Sequence, residues 1–298
     1  RVALVNSFNN SRDWSGYGAS IAETENIKLR LAELKNRNYE KALVLVNRYD
    51  GIDLPDSDCR ILIFDGKPYS QNLVDLYEED CRPDAEATMM RAVRSVEQGL
   101  GRCVRGEKDY AAAVLIGPEL IRLIRDKNSR KYLSSQVATQ LEIGIEISMM
   151  AREDVSSSDP KKALIGMLNQ SLQRDIGWKN YYIQRMQSVK ERGANQVLLK
   201  IYKDELDAEL LYHQGKHTEA VAAIQALIDS NNLGQEDRGW YLQLMARYSY
   251  LHQREQSNKY QIIAHRSNPL LLAPISGVSF SKLTTTSQGR LERVKSWV

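Results

Sequence analysis

Four short apolar runs limit what this chain can fold into. They are Val2 to Phe8, Ala42 to Val46, Ile61 to Phe64 and Ala111 to Ile116. Continuous runs of about four to eight apolar residues, rich in Val, Ile and Leu, read as strands buried on both faces. Helical periodicity separates them. Ile27, Leu31 and Leu34 share a face of a helix predicted from about Glu25 to Arg37, with Thr24 as its cap. Met89, Val93, Val96 and Leu100, spaced by three or four, share another. Buried strands alternating with amphipathic helices imply a parallel sheet covered on both faces. Ala19 to Ala22 is a predicted extra strand. Asn9 to Gly18, with Trp14 and Tyr17, is a predicted loop, and so is the acidic stretch Glu78 to Pro83.

The strand signal stops after Ile116. Gly117-Pro118 ends the last run, and Glu119 to Arg130 is predicted helical, with Pro118 suited to a first turn. Residues 126 to about 270 read as all helical. Val137, Leu141 and Ile145 share a face, and Ser156 to Pro160 is a clear break. Lys161 to Arg192 is a long helix with interruptions expected at Gly166 and Gly177, and Gly193-Ala194-Asn195 ends it. Leu206 to Pro269 has a repeat-like look. It resembles a tetratricopeptide-type helical hairpin, and an ordinary antiparallel hairpin fits it equally well. A returning strand is expected near Ser276 to Ser281. The expected architecture is an α/β parallel-sheet lobe over residues 1–125 and an all-α region over 126–298.

A net charge of +3 is too small to argue for nucleic acid by itself. No apolar run approaches the roughly 20 residues of a membrane span. Three cysteines, Cys59, Cys81 and Cys103, suit neither a disulfide framework nor a metal spacing, so they are read as packing residues in a reducing, cytoplasmic setting. The four histidines do not fall at metal-ligand spacing, and no metal site is expected. A start at Arg1 on a core strand, and an end that reads as a helix cut short, suggest a piece of a longer protein. The helix over 161–192 mixes basic residues with Trp178, Tyr181 and Tyr182. Such a helix either grips a single strand by charge and stacking or packs its aromatics against the core, and the packed face is preferred.

The chemistry concentrates between a helix and a strand, in Glu97 to Tyr110. This stretch holds Gln98, Gly99, Gly101, Arg102 and Arg105. Glycines allow close approach of backbone to a ligand. Two guanidiniums three apart can hold a polyphosphate from two sides. A second stretch, Asn47-Arg48-Tyr49-Asp50-Gly51-Ile52-Asp53-Leu54, follows the Ala42 to Val46 run. No phosphate-binding loop of the G-x-x-x-x-G-K-[ST] type is present.

Together the two stretches resemble motifs V and VI of superfamily 2 helicases, and most of all the XPD/DinG-like DNA helicases. Their motif VI reads Q-x-x-G-R-x-x-R, then a charged residue and D-Y. Gln98, Gly101, Arg102, Arg105, Asp109 and Tyr110 match it. Their motif V reads E-G-I-D-F against Asp50 to Leu54 here, and Arg1 to Phe8 resembles motif IV, a strand followed by a serine. The resemblance covers roughly residues 1–125.

It implies the second RecA-like lobe of an ATP-dependent motor, with Walker motifs on a first lobe. ATP would sit in the cleft between lobes, with Mg2+ held mainly by the first lobe. Arg105 would be the arginine finger. Arg102 would face the phosphates and Gln98 would order the cleft. Gly51, Asp53 and Gly101 would lie at the nucleotide edge. A helix cap or turn is the other reading of Asp53. Ser7, Asn47 and Arg48 would touch DNA phosphates, although each also suits a loop residue satisfying backbone groups. Partners implied are single-stranded or forked DNA, the first lobe, and a protein docked on the helical region, in a repair or antiviral-defence complex.

Overall fold

The computed structural model describes residues 1–36, 41–49, 51–52, 54, 58–69, 72–103, 110–154, 160–191 and 193–274. The expected fold class is present: a parallel α/β lobe followed by a helical region. Five strands, β1 Val2–Val5, β2 Ser20–Ala22, β3 Leu43–Val46, β4 Ile61–Asp65 and β5 Ala112–Ile116, form one sheet in the order β2-β3-β1-β4-β5. Every pairing is parallel. The central strands β1 and β3 are buried at every position, which explains their unbroken apolar sequences. Val5 stands beside Val46 on one side and Asp65 on the other, and Asp65 beside Ile116. These strands therefore finish level, at the sheet edge where ligands of open α/β folds bind.

The chain falls into two compact units. The first is residues 1–72 with 86–192. It holds the sheet with helices α1 Phe8–Gly16, α2 Ile27–Lys35, α4 Glu86–Leu100, α5 Pro118–Arg125, α6 Lys127–Arg130, α7 Ser135–Asp154, α8 Pro160–Leu172 and α9 Ile176–Gln187. The second unit joins α3, Leu73–Cys81, to α10 Gln196–His213, α11 His217–Ser230, α12 Gln235–Ser249 and α13 Arg254–Ser267.

Several local expectations are corrected. Asn9 to Gly18 is not a loop, because α1 runs through it. Ser7 is extended and its hydroxyl accepts from the Asn10 amide at 3.2 Å, which starts the helix. Trp14 Nε1 then donates to Asp65 at 2.8 Å and ties the helix to the end of β4. Asn26 rather than Thr24 stands at the N-terminus of α2. The helix expected over Glu119 to Arg130 divides at Asp126, whose carboxylate accepts from the Ser129 amide and starts α6. Gly166 lies inside α8, and the break before α9 falls at Arg174, which adopts φ +53°. Asp175 caps α9 through the Trp178 amide. The aromatic side of α9 turns to α7: Tyr181 donates to Glu146 at 3.0 Å and Tyr182 accepts from Gln140 at 2.7 Å.

The acidic stretch at 78–83 is corrected too, since most of it belongs to α3. This helix inverts the usual pattern: Leu73 and Val74 are exposed while Glu78 and Cys81 are buried. The reason is Arg82, buried beside Glu78 and donating to Asp237 of α12 at 2.9 Å. Its guanidinium also lies 4.5 Å from the Trp240 ring centre. Tyr77 donates to Gln243 at 2.9 Å and accepts from the Leu272 amide at 2.8 Å. Asn268 donates to the Cys81 carbonyl at 2.6 Å. Thus α3 is built into the helical unit. Around it Ile224, Leu227, Met245 and Tyr248 form that unit's core. The strand expected near Ser276 lies outside the described residues. No described helix is long and apolar enough to cross a membrane.

Candidate functional site

The arginine-bearing stretch begins on the last turns of α4. Gly99 there is buried, and a Cβ on it would meet the Phe64 ring at 2.4 Å and the Tyr49 ring at 3.3 Å. Tyr49 and Phe64 stack at 5.0 Å. Gly99 is therefore a packing glycine that lets α4 rest on this aromatic pair. Burial pushes the Tyr49 phenol well above its ordinary range, with Asp65 adding to the shift. Its hydroxyl has no hydrogen-bond partner among the described residues.

One turn later Gly101 to Cys103 tighten into a 3-10 turn. Arg102 there reaches back to the Asn47 to Leu54 stretch. Its Nε donates to the Tyr49 carbonyl at 2.9 Å and its Nη1 to the Ile52 carbonyl at 3.3 Å. The Leu54 amide donates to the Arg102 carbonyl at 3.1 Å. Arg102 thus stitches the two stretches together, a use that sequence spacing did not reveal. Gly51 adopts φ +73°, the left-handed region that favours glycine, and a Cβ on it would meet none of the described residues within 4 Å. Gly101 is likewise open, and Gln98 is exposed on the neighbouring turn. Asp53 and Arg105, with Asp50 and Asp109, lie outside the described residues.

Tyr110 closes the stretch. The Arg60 guanidinium lies 3.8 Å from its ring centre and donates to its carbonyl at 2.7 Å, while Arg174 stacks at 4.9 Å. Cys59 and Cys103 flank the stitched loop and are buried. The neighbouring thiols shift one another, which depresses Cys59 and raises Cys103.

Ser7, Asn47 and Arg48 gather at one end of the sheet, because Val5 and Val46 are register partners. Asn47 adopts φ +50°, tolerable for asparagine, and its amide donates to the Val5 carbonyl at 2.8 Å. Asn47 and Arg48 line a cleft of about 140 Å³ with Phe8, Thr24 and Ile27. It is too small for a nucleotide. Phe8 and Thr24 line this cleft without having stood out in the sequence; for Phe8 the available signal was an aromatic directly after a buried strand, and it is 57% exposed.

Residues 4–139 match the family model of the helicase C-terminal domain. No curated protein matches the chain. The matched span takes in the end of β1, strands β2 to β5, the Arg102 stitch and the cleft at Asn47. It supports a helicase C-terminal domain in this part of the chain. Among the described residues of that domain and of the helical region, no group of three His, Cys, Asp or Glu is placed to hold a metal.

Proposed function

We propose that residues 1–125 are the second motor lobe of an ATP-dependent DNA helicase or translocase of the XPD/DinG-like branch. Residues 126–298 are its helical extension, the first part of which, to 192, packs as one unit with the sheet. The observation that carries this reading is the pair of Arg102 hydrogen bonds to Tyr49 and Ile52, inside a span that matches the helicase C-terminal domain. They make one surface of the two stretches that would face a nucleotide.

Arg102 gives Nε to the Tyr49 carbonyl and Nη1 to the Ile52 carbonyl, which holds the first stretch to the second. Among the described residues, nothing crowds Gly51 or Gly101, which suits approach of a phosphate or ribose. ATP, with Mg2+ held by the first lobe, would supply the phosphoryl transfer that drives stepping. In this account Arg105 stabilises the charge that develops on the transferred group. Such a residue is worth roughly three to five orders of magnitude in rate. Arg102 holds the loop carrying Gly51 and Asp53 against the cleft. Gln98, exposed on the same turn, orders that cleft by hydrogen bonding. Ser7, Asn47 and Arg48 contact DNA phosphates at the sheet end, which suits movement independent of sequence.

The test is ATP hydrolysis by a protein containing both lobes, with and without single-stranded DNA. Stimulation by DNA is expected. Equal rates with and without DNA would contradict the motor reading.

A second reading is favoured by the burial of α3 in the helical unit. There the ATPase acts as a switch, and the helical region docks a protein partner, such as a nuclease of a repair or antiviral-defence complex. Deleting residues 200–270 would test it poorly, because Tyr77 and Arg82 would lose Gln243 and Asp237. Charge reversals on exposed helical residues are the better probe. Loss of partner binding with ATPase activity intact supports docking, and binding indifferent to every reversal contradicts it.

A further inference from the structure

Helix α10 has two faces. One carries Ile201, Ala208, Leu211 and Tyr212 into the core of the helical unit. On the other stand Leu199, Leu206 and Leu210, exposed by 52%, 58% and 49%. With 3.6 residues per turn, these three leucines fall within about 40° of one another. They belong to a series spaced by threes and fours: Gln196, Leu199, Lys203, Leu206, Leu210, His213. That is the spacing of a coiled-coil seam. Outer helices of helical arrays normally turn a polar face to water. Here three leucines occupy it.

The seam is symmetric about a midpoint between Asp204 and Glu205. Laid antiparallel on a copy of itself, Leu199 meets Leu210 of the copy, Lys203 meets Leu206, and Gln196 meets His213. Charge fits the same arrangement. Lys203, a seam position at its edge, and Asp207, one turn on beside that same edge, are exposed, and neither makes an ion pair among the described residues. A two-fold axis through the midpoint sets Lys203 of each copy beside Asp207 of the other. A parallel pairing would instead stack Lys203 on Lys203, with like charges opposed. We propose that the Leu199, Leu206 and Leu210 face of α10 joins two copies of this chain antiparallel, flanked by two Lys203 to Asp207 ion pairs.

One pair of helices about 27 Å long is a small interface, so the dimer is weak and depends on concentration. Sedimentation velocity of the chain over a concentration series is the test. Reversible dimer formation is expected. The double variant L206E/L210E stays monomeric with unchanged helical circular dichroism, because both leucines face solvent in the monomer. K203E alone weakens the dimer by about tenfold or more, since two attractive pairs become repulsive. D207K alone does the same, and K203E/D207K restores wild-type association. A monomer at every concentration overturns the proposal, and so does a dimer that survives L206E/L210E. Failure of the double charge swap to restore association overturns the antiparallel geometry.

Discussion

Gly99 has no room for a methyl group. A Cβ there would press on the buried Phe64 ring, which has no flexible end to move aside. Gly99→Ala is expected to lower stability by about 1–3 kcal/mol, the range for overpacking a core. Urea unfolding measures it, and adding Phe64→Leu should recover part of the loss. A variant as stable as wild type would contradict this packing. Arg82 is a stronger case. Burial opposes its charge, but Glu78 and Asp237 outweigh that and hold the guanidinium protonated. Arg82→Ala leaves two acids without their cation and should cost about 3 kcal/mol or more. Nearby Glu205 behaves in the opposite way. Burial raises its carboxyl above the ordinary value of 4.5, although Arg82 and a hydrogen bond from Tyr241 pull it down. Between 4.5 and the raised value the folded chain keeps a proton that the unfolded chain has lost. Stability therefore falls as pH rises through that window, and the full penalty applies above it. Glu205→Gln keeps an acceptor for Tyr241 and should melt higher than wild type at neutral pH. The gap should close as pH drops below the ordinary glutamate value. A gap independent of pH would contradict it.

At the scale of elements, the strands were legible because burial on both faces writes itself as unbroken apolar sequence, as in Val2–Val5 and Leu43–Val46. The helices that differed are those whose folding depends on a partner far away in sequence. α1 has few apolar residues, and its Trp14 is fixed by Asp65, 51 positions on. α3 buries an acid and exposes leucine and valine, which makes sense only once Arg82 finds Asp237, 155 positions on. The Arg102 stitch could not be read from sequence, because a spacing does not say which carbonyls a guanidinium will find. That stitch has a measurable consequence. Arg102→Ala should speed hydrogen exchange at the Leu54 amide, which bonds to the Arg102 carbonyl, while amides of β1 stay protected. Arg102→Lys should not rescue it, since an ammonium does not reproduce the planar fork that reaches two carbonyls. Unchanged exchange in both variants would show that the loop holds itself.

The whole molecule contains a parallel sheet, two stretches tied by Arg102, and a helical unit that incorporates α3 from between β4 and β5 in the sequence. Replacing residues 73–85 by a flexible linker should therefore unfold the helical unit, seen as loss of cooperative melting. A helical unit that melts unchanged would show α3 to be dispensable. The central claim is that this lobe completes an ATP site with Arg105. The most direct measurement is steady-state ATP hydrolysis, with DNA present, by a two-lobe protein carrying Arg105→Ala. A residue that acts on the transition state should lower kcat by about a thousandfold or more and leave KM for ATP nearly unchanged. A kcat equal to wild type would contradict the account.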